Sequence, residues 1–203
     1  PVAAVGVGAI IITTFYWLFG FLRMGTTGLV AQAVGSEDET EVRSYLLRAL
    51  ILGFSAGVFI LLMSTPLIAF GLWLSPASSE VEELAQKYIS IRVWSAPAAI
   101  SLYGIVGWLI ALERTKSVLF LQFFMNGVNV LLDIWFVLGL GWGIEGVAIA
   151  TAIAEVSALI LGLLLCYDRF KDKSWPRIQT IFSAARLKNM LSVNLDILLR
   201  SII

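Results

Sequence analysis

The sequence predicts an all-α fold, a polytopic bundle of membrane-spanning helices, on three observations. Of its 203 residues 59% are hydrophobic and only 14% charged, with mean hydropathy +0.91, where a soluble domain has roughly a quarter of its residues charged. Its apolar runs reach the length of about 20 residues that a helix needs to cross the hydrocarbon core. Polar residues inside those runs recur at three and four, the period of a helix face rather than of a strand. Basic and acidic residues balance at 14 each, with no basic patch interleaved with aromatics, so no nucleic-acid partner is expected. Histidine is absent and Cys166 is the lone cysteine. That excludes an imidazole relay, an internal disulfide and a Cys-based metal cage, and leaves Cys166 as a small buried apolar residue.

Five spans and the start of a sixth follow in order. The first covers about Val2 to Val34, longer than the bilayer needs and rich in glycine, so tilt or protrusion is expected. An acidic turn from Gly35 to Glu41 leads into a second span, Tyr45 to Leu74, with a kink expected at Pro66. Ser75 to Glu80 reads as a turn, and Ser79 with Glu82 fits a capping arrangement. The third span runs from about Ala85 to Leu112 with Pro97, Gly104 and Gly107 inside it, and the fourth from Ser117 to Leu138. A tight turn, Gly139 to Gly143, precedes the fifth, Ile144 to Tyr167. The chain then turns basic, and Pro176 opens an amphipathic helix through Ala185 that suits either an interface or an ordinary packed connector. Leu191 onward is apolar again, with Asn194, Asp196 and Arg200 embedded and the last two spaced to pair. The chain begins without Met and ends within an apolar run, so it is read as part of a larger membrane protein.

The fourth span carries the chemistry. Gln122, Asn126, Asn129 and Asp133 are spaced four, three and four apart, one wet line on a greasy rod. Such a line must face protein or water, because an unpaired acid in hydrocarbon is costly. The fourth and fifth spans form an antiparallel hairpin, which sets Asp133 level with Thr151, roughly 8 Å below the turn at 1.5 Å per residue. Asn129 is level with Glu155 one turn deeper, so Asn129, Asp133, Thr151 and Glu155 are expected to cluster. A sheltered carboxylate there can exchange a proton or ligate a small cation, or else join a hydrogen-bond network that pins two helices. The network reading is preferred for Gln122, Asn126 and Glu155.

Arg23, deep in the first span, should pair with an acid or with exposed carbonyls, and helix locking is preferred to substrate binding for it. Arg92 is placed near an interface, where it can snorkel. Phe15, Tyr16, Trp17, Phe19, Phe21 and Met24 are lipid-facing or core, or line a pocket for lipophilic ligands. Glycine pairs at Gly6/Gly8, Gly25/Gly28, Gly53/Gly57 and Gly104/Gly107 permit close helix approach. Arg43, Arg48, Arg114 and Lys116, with six more basic residues from Arg169 to Lys188, flank the odd-numbered connections, against Lys87 and Arg92 on the other side. The positive-inside rule makes the first group cytoplasmic.

The run Phe19 to Gln32 resembles the second transmembrane helix of the DinF branch of the MATE (multidrug and toxic compound extrusion) exporters. So do Trp94 to Ala98 with Gly107 to Ala111, and Asn126 to Asp133 followed by Phe136 to Gly143, while Asn194 to Arg200 resembles the branch's seventh helix. The resemblance covers essentially the whole chain. It implies residues 1–168 as helices two to six of an N-terminal lobe, 169–189 as a cytoplasmic inter-lobe linker and 190–203 as the start of the second lobe. It implies further a bacterial inner-membrane antiporter, functional as a monomer of the full-length chain. Such a protein exports small lipophilic or cationic compounds in exchange for protons or sodium ions, with no cofactor and no enzymatic step. The family's fifth-helix acid falls on Asp133, its preceding Asn on Asn129 and its sixth-helix Thr on Thr151. The fourth-helix polar positions of some relatives are replaced around Tyr103 to Gly107. Rival readings are a lipid-linked oligosaccharide flippase of the same superfamily, a membrane-embedded enzyme, and a structural subunit without a transport cycle.

Overall fold

A computed structural model describes the backbone of residues 2–171 and 175–202, and the side chains of all of these but 2, 189 and 200–202. The pairing of Asp196 with Arg200 expected from the sequence therefore lies outside the described residues. Five segments are long and apolar enough to cross a membrane: Ala3–Gly35, Glu39–Leu62, Ser79–Ala111, Thr115–Gly139 and Gly143–Tyr167. No strand occurs among the described residues.

The first crossing is two helices, α1 (Val2–Trp17) and α2 (Phe21–Gly35), rather than one. Between them the amides of Phe19 and Gly20 bond three residues back, to Tyr16 at 2.9 Å and Trp17 at 2.8 Å. The second crossing, α3 (Glu39–Leu62), starts on Asp38, whose carboxylate accepts the Glu41 amide at 2.9 Å. Here the sequence expectation needs correction: the interruption falls at Met63, and α4 (Ser64–Leu74) begins anew. Pro66 sits in the first turn of α4, where its missing N–H has no intrahelical partner to lose.

The third crossing joins α5 (Ser79–Arg92) to α6 (Ala96–Ala111) through a tight 3₁₀ turn at Val93–Ser95. Pro97 occupies the second position of α6, again a tolerated one. At the start of α5 Glu82 reaches back to accept the Ala77 amide at 3.1 Å, but no hydroxyl caps the helix, so only half of the expected capping arrangement forms. The fourth crossing, α7 (Thr115–Asp133), widens into a π-helical turn at Ile134–Gly139. Gly141 (φ +70°) and Gly143 (φ +58°) then take the left-handed conformations that reverse the chain into α8 (Gly143–Tyr167).

Beyond α8 the expected amphipathic helix from Pro176 to Ala185 shrinks to one turn, α9 (Ile178–Ile181). Its last carbonyls are taken by a side chain: Arg48 donates from Nη2 to Thr180 O at 2.6 Å and from Nε to Ile181 O at 2.8 Å. The final helix, α10 (Ala184–Ile202), starts earlier than residue 190.

The core centres on α6, where Ile100, Ile105, Trp108 and Leu109 are fully buried against α2, α3 and α8. Backbones meet closely there. A Cβ on Gly53 would lie 2.9 Å from Ser101 Cα, and one on Gly57 2.3 Å from Pro97 Cα. One on Gly107 would lie 2.4 Å from the Arg23 carbonyl oxygen. The expected glycine seam is thus real at Gly53/Gly57 and Gly104/Gly107, whereas Gly6 and Gly28 face open space. In contrast α7 leaves most of its surface uncovered by the rest of the chain, with Leu121 its one buried residue.

Gly57→Ala should therefore cost about 3 kcal/mol, the upper part of the overpacking range, while Gly6→Ala should be close to neutral. Unfolding midpoints of the purified variants check the contrast.

Candidate functional site

The hairpin of α7 and α8 brings two of the expected residues into contact. Asn129 donates from Nδ2 to Thr151 Oγ1 at 3.1 Å, and Thr151 donates in turn to the Val147 carbonyl at 2.9 Å. Thr151 thereby satisfies its own hydroxyl proton within α8 and presents its oxygen to α7. One turn beyond Asn129, Asp133 closes α7 where the backbone widens into the π turn, a local distortion common at functional sites. Its Oδ1 is shielded from solvent and has no hydrogen-bond partner among the described residues. The carboxylate does not pair with Arg23. Gln122 and Asn126 continue the stripe on the exposed face of α7.

Glu155 does not join this cluster. Both of its oxygens are taken by Arg92, Nη1 to Oε2 at 2.6 Å and Nη2 to Oε1 at 2.9 Å. Arg92 is 6% exposed, so the expectation that it snorkels at an interface is overturned. Its Nη1 also donates to Ser95 Oγ at 3.0 Å, and its carbonyl accepts from Ser95 Oγ at 2.7 Å and Tyr16 Oη at 3.2 Å. One bidentate pair therefore ties α1, the α5–α6 turn and α8 together. Depth could have revealed it. Arg92 comes thirteen residues after Ser79 and Glu155 twelve after Gly143, and these two helices start from the same side of the bundle. At 1.5 Å per residue the two charges lie about 20 and 18 Å along their helices.

The ion pair borders a cavity of about 210 Å³ walled also by Tyr16, Arg23, Tyr103 and Gln122. Arg23 does not lock helices with its side chain, which has no hydrogen-bond or ion-pair partner among the described residues. Its backbone does that instead, since Thr27 Oγ1 bonds the carbonyls of Arg23 (2.9 Å) and Gly107 (3.0 Å). Met24 is exposed and lines a second cavity with Trp17, Phe21, Arg23 and Tyr103. Of the aromatic residues expected as pocket lining, Tyr16, Trp17 and Phe21 take that role.

At one end of the bundle, Arg48 Nη1 meets Glu41 Oε1 at 2.6 Å, and Arg186 pairs with the other oxygen of Glu41. Arg169 with Glu39 (3.2 Å) and Arg114 with Asp168 (2.8 Å) add two outer pairs. The clamp fastens α9 and α10 to α3. Helical spacing alone does not foresee it, because its partners are separated by 132 to 145 residues where they cross to the linker.

The MatE family model matches residues 1–135. The chain belongs to the MatE family. It is 35% identical over 201 residues to the DNA damage-inducible protein F of Escherichia coli (strain K12), which covers 98% of this chain and 44% of that protein. Protein DETOXIFICATION 47, chloroplastic, of Arabidopsis thaliana is 29% identical over 164 residues, 76% of this chain and 29% of the relative. Among solved structures, a multidrug resistance MATE family transporter of the MOP superfamily in its inward-facing conformation superposes with a TM-score of 0.81 at 25% identity. That match covers 95% of this chain and 44% of the other. The chain thus spans less than half the length of these MatE relatives. They are membrane transporters rather than enzymes, and this chain is a multi-pass membrane protein of the same fold.

The Arg92–Glu155 pair yields a stability test. Arg92→Leu leaves a buried carboxylate unpaired and should destabilise by about 3–5 kcal/mol, while Arg92→Leu with Glu155→Leu should recover most of the loss. Thermal unfolding of the single and double variants measures it.

Proposed function

We propose that this chain forms the ion-coupling part of a secondary active antiporter. The antiporter exports organic, often cationic, compounds across the bacterial inner membrane by alternating access, in exchange for protons or sodium ions. The observation that carries the reading is the Asp133 carboxylate: half-buried, with Oδ1 sheltered and unpaired, one turn from the Asn129–Thr151 hydrogen bond. A structural acid in such a bundle ends up like Glu155, with both oxygens held. An acid that must gain and release a cation needs a low-dielectric setting without a permanent counter-ion, and polar oxygens near it to ease each state.

Protons are the favoured coupling ion. Two oxygens with an amide and a hydroxyl nearby make a sparse sodium site, whereas proton exchange needs a single titratable group that solvent reaches in turn from each side. Family membership and the solved multidrug transporters support export of organic compounds. The basic residues around the α9 connection support a cytoplasmic location for that end. The lipid bilayer and small lipophilic or cationic substrates are the partners this reading calls for, with no cofactor beyond the coupling ion.

Asp133→Asn should abolish ion-driven dye export from vesicles holding the complete transporter, with expression and unfolding midpoint unchanged. Undiminished proton-linked export by this variant would overturn the assignment.

A further inference from the structure

Trp94 projects from the 3₁₀ turn between α5 and α6 with 71% of its surface uncovered, and a groove lies on each side of it. The first, about 760 Å³, runs between α4 and α5 along Leu61, Ile68, Leu72, Gln86 and Ser90. The second, about 370 Å³, runs between α5 and α8 along Ile91, Ile149, Ile153 and Val156. Trp94 is a wall of both. Ser90 gives its hydroxyl proton to the Lys87 carbonyl at 2.8 Å, so it needs no acceptor from an occupant.

Both grooves are cut in the back of the bundle. Arg92, two residues before Trp94, points the opposite way at about 100° per residue, into the polar interior where it holds Glu155. The final helix, α10, packs on α2 and not on this face. Ser90 comes eleven residues after Ser79 and Val156 thirteen after Gly143, about 16 and 20 Å along their helices. That depth is close to the ~15 Å of one leaflet's hydrocarbon. A bilayer presents acyl chains to such a face.

The mouth of the grooves is charged. On the strip of α5 that leads to Trp94 stand Ile91, Lys87 and Glu83, three, seven and eleven residues away. Lys87 is the one exposed basic side chain at this end of the bundle among the described residues, roughly 10 Å above Trp94. Its Nζ lies 3.0 Å from Glu83 Oε1, and both side chains are open to solvent. Such an exposed pair holds its partners weakly and is free to take opposite charges from outside. Glu80, Glu82 and Glu145 make the surroundings acidic, which disfavours a head of net negative charge. A lysine beside a glutamate matches a zwitterion.

We propose that this face binds one two-chain phospholipid with a primary ammonium head. Its phosphate sits on Lys87, its ammonium donates to Glu83, and its two acyl chains lie in the grooves astride Trp94. The leaflet is the one at the end of the bundle away from α9. The site is separate from Asp133 and does not depend on ion coupling.

The probes are palmitoyl-oleoyl phosphatidylethanolamine, the phosphatidylcholine and phosphatidylglycerol with the same chains, and the one-chain lysophosphatidylethanolamine. Each is titrated into the purified, delipidated complete protein in detergent, and bound lipid is counted by native mass spectrometry. The two-chain ethanolamine lipid should bind about fivefold or more tightly than the other three. Lys87→Gln should weaken it about fivefold, and Glu83→Gln should bring it level with the choline lipid, which has no N–H to donate. Ala69→Phe and Ala152→Phe each fill one groove and should reduce the two-chain lipid to the affinity of the one-chain lipid. Lipid-free unfolding midpoints check that these variants fold. The two charge variants alter exposed side chains only, so they decide the matter if a filled variant does not fold. Equal binding of all three heads by the wild type, or two-chain binding unchanged in both folded filled variants, overturns the proposal. So does the absence of bound lipid, the result if another segment of the complete chain covers Trp94.

Discussion

A carboxylate inside an apolar helix bundle must either be held by a cation or keep a route to water, and the rest of this molecule follows from how it divides its acids between those options. Glu155 is held: Arg92 engages both of its oxygens, and Ser95 and Tyr16 complete the shell around the arginine. Asp133 is not held by any of the described residues, with Oδ1 buried and free of partners among them. The two acids sit on neighbouring helices of one hairpin, yet they face different chemistry. The first belongs to the architecture. The second is left able to change its charge.

That division depends on a rigid frame, and the frame is α6. Glycine lets α3 and α2 approach α6 at backbone distance, through Gly53 and Gly57 on one side and Gly107 on the other. Such contacts leave no slack for side chains to rearrange, so the 3₁₀ turn that follows Arg92 and the stretch of α2 that carries Arg23 are set in place by main-chain packing. At one end, Arg48 and Arg186 converge on Glu41 and bind α9 and α10 to the same frame. A connection anchored in this way would move with α3 in any rearrangement of the bundle, rather than act as a slack tether.

Local periodicity made most of this legible before any coordinates. The long apolar runs located all five crossings, and the four-three-four spacing from Gln122 to Asp133 located the wet stripe. Depth counting along an antiparallel hairpin put Asn129 and Thr151 within a turn of each other, and they are hydrogen-bonded. What stayed hidden involves a third helix. Spacing says that Glu155 shares a face with Thr151, but not that α5 covers the lower part of that face and brings Arg92 to it. The breaks between helices are hidden in the sequence for a related reason. Proline marks where a helix can begin as readily as where one bends, so the interruption belongs to Met63, three residues before Pro66. The amphipathic pattern after Pro176 is periodic enough for a helix, yet only one turn forms, and Arg48 bonds its Thr180 carbonyl from 132 residues away.

Proton release on substrate binding tests the central claim most directly. With the complete transporter in weakly buffered detergent solution, a pH-sensitive dye would report protons displaced as a cationic substrate binds. The account predicts a release that approaches one proton per substrate at a pH where Asp133 is protonated before binding, and none when Asp133 is replaced by Asn. Substrate binding without any release, or an equal release from the Asn variant, would contradict it.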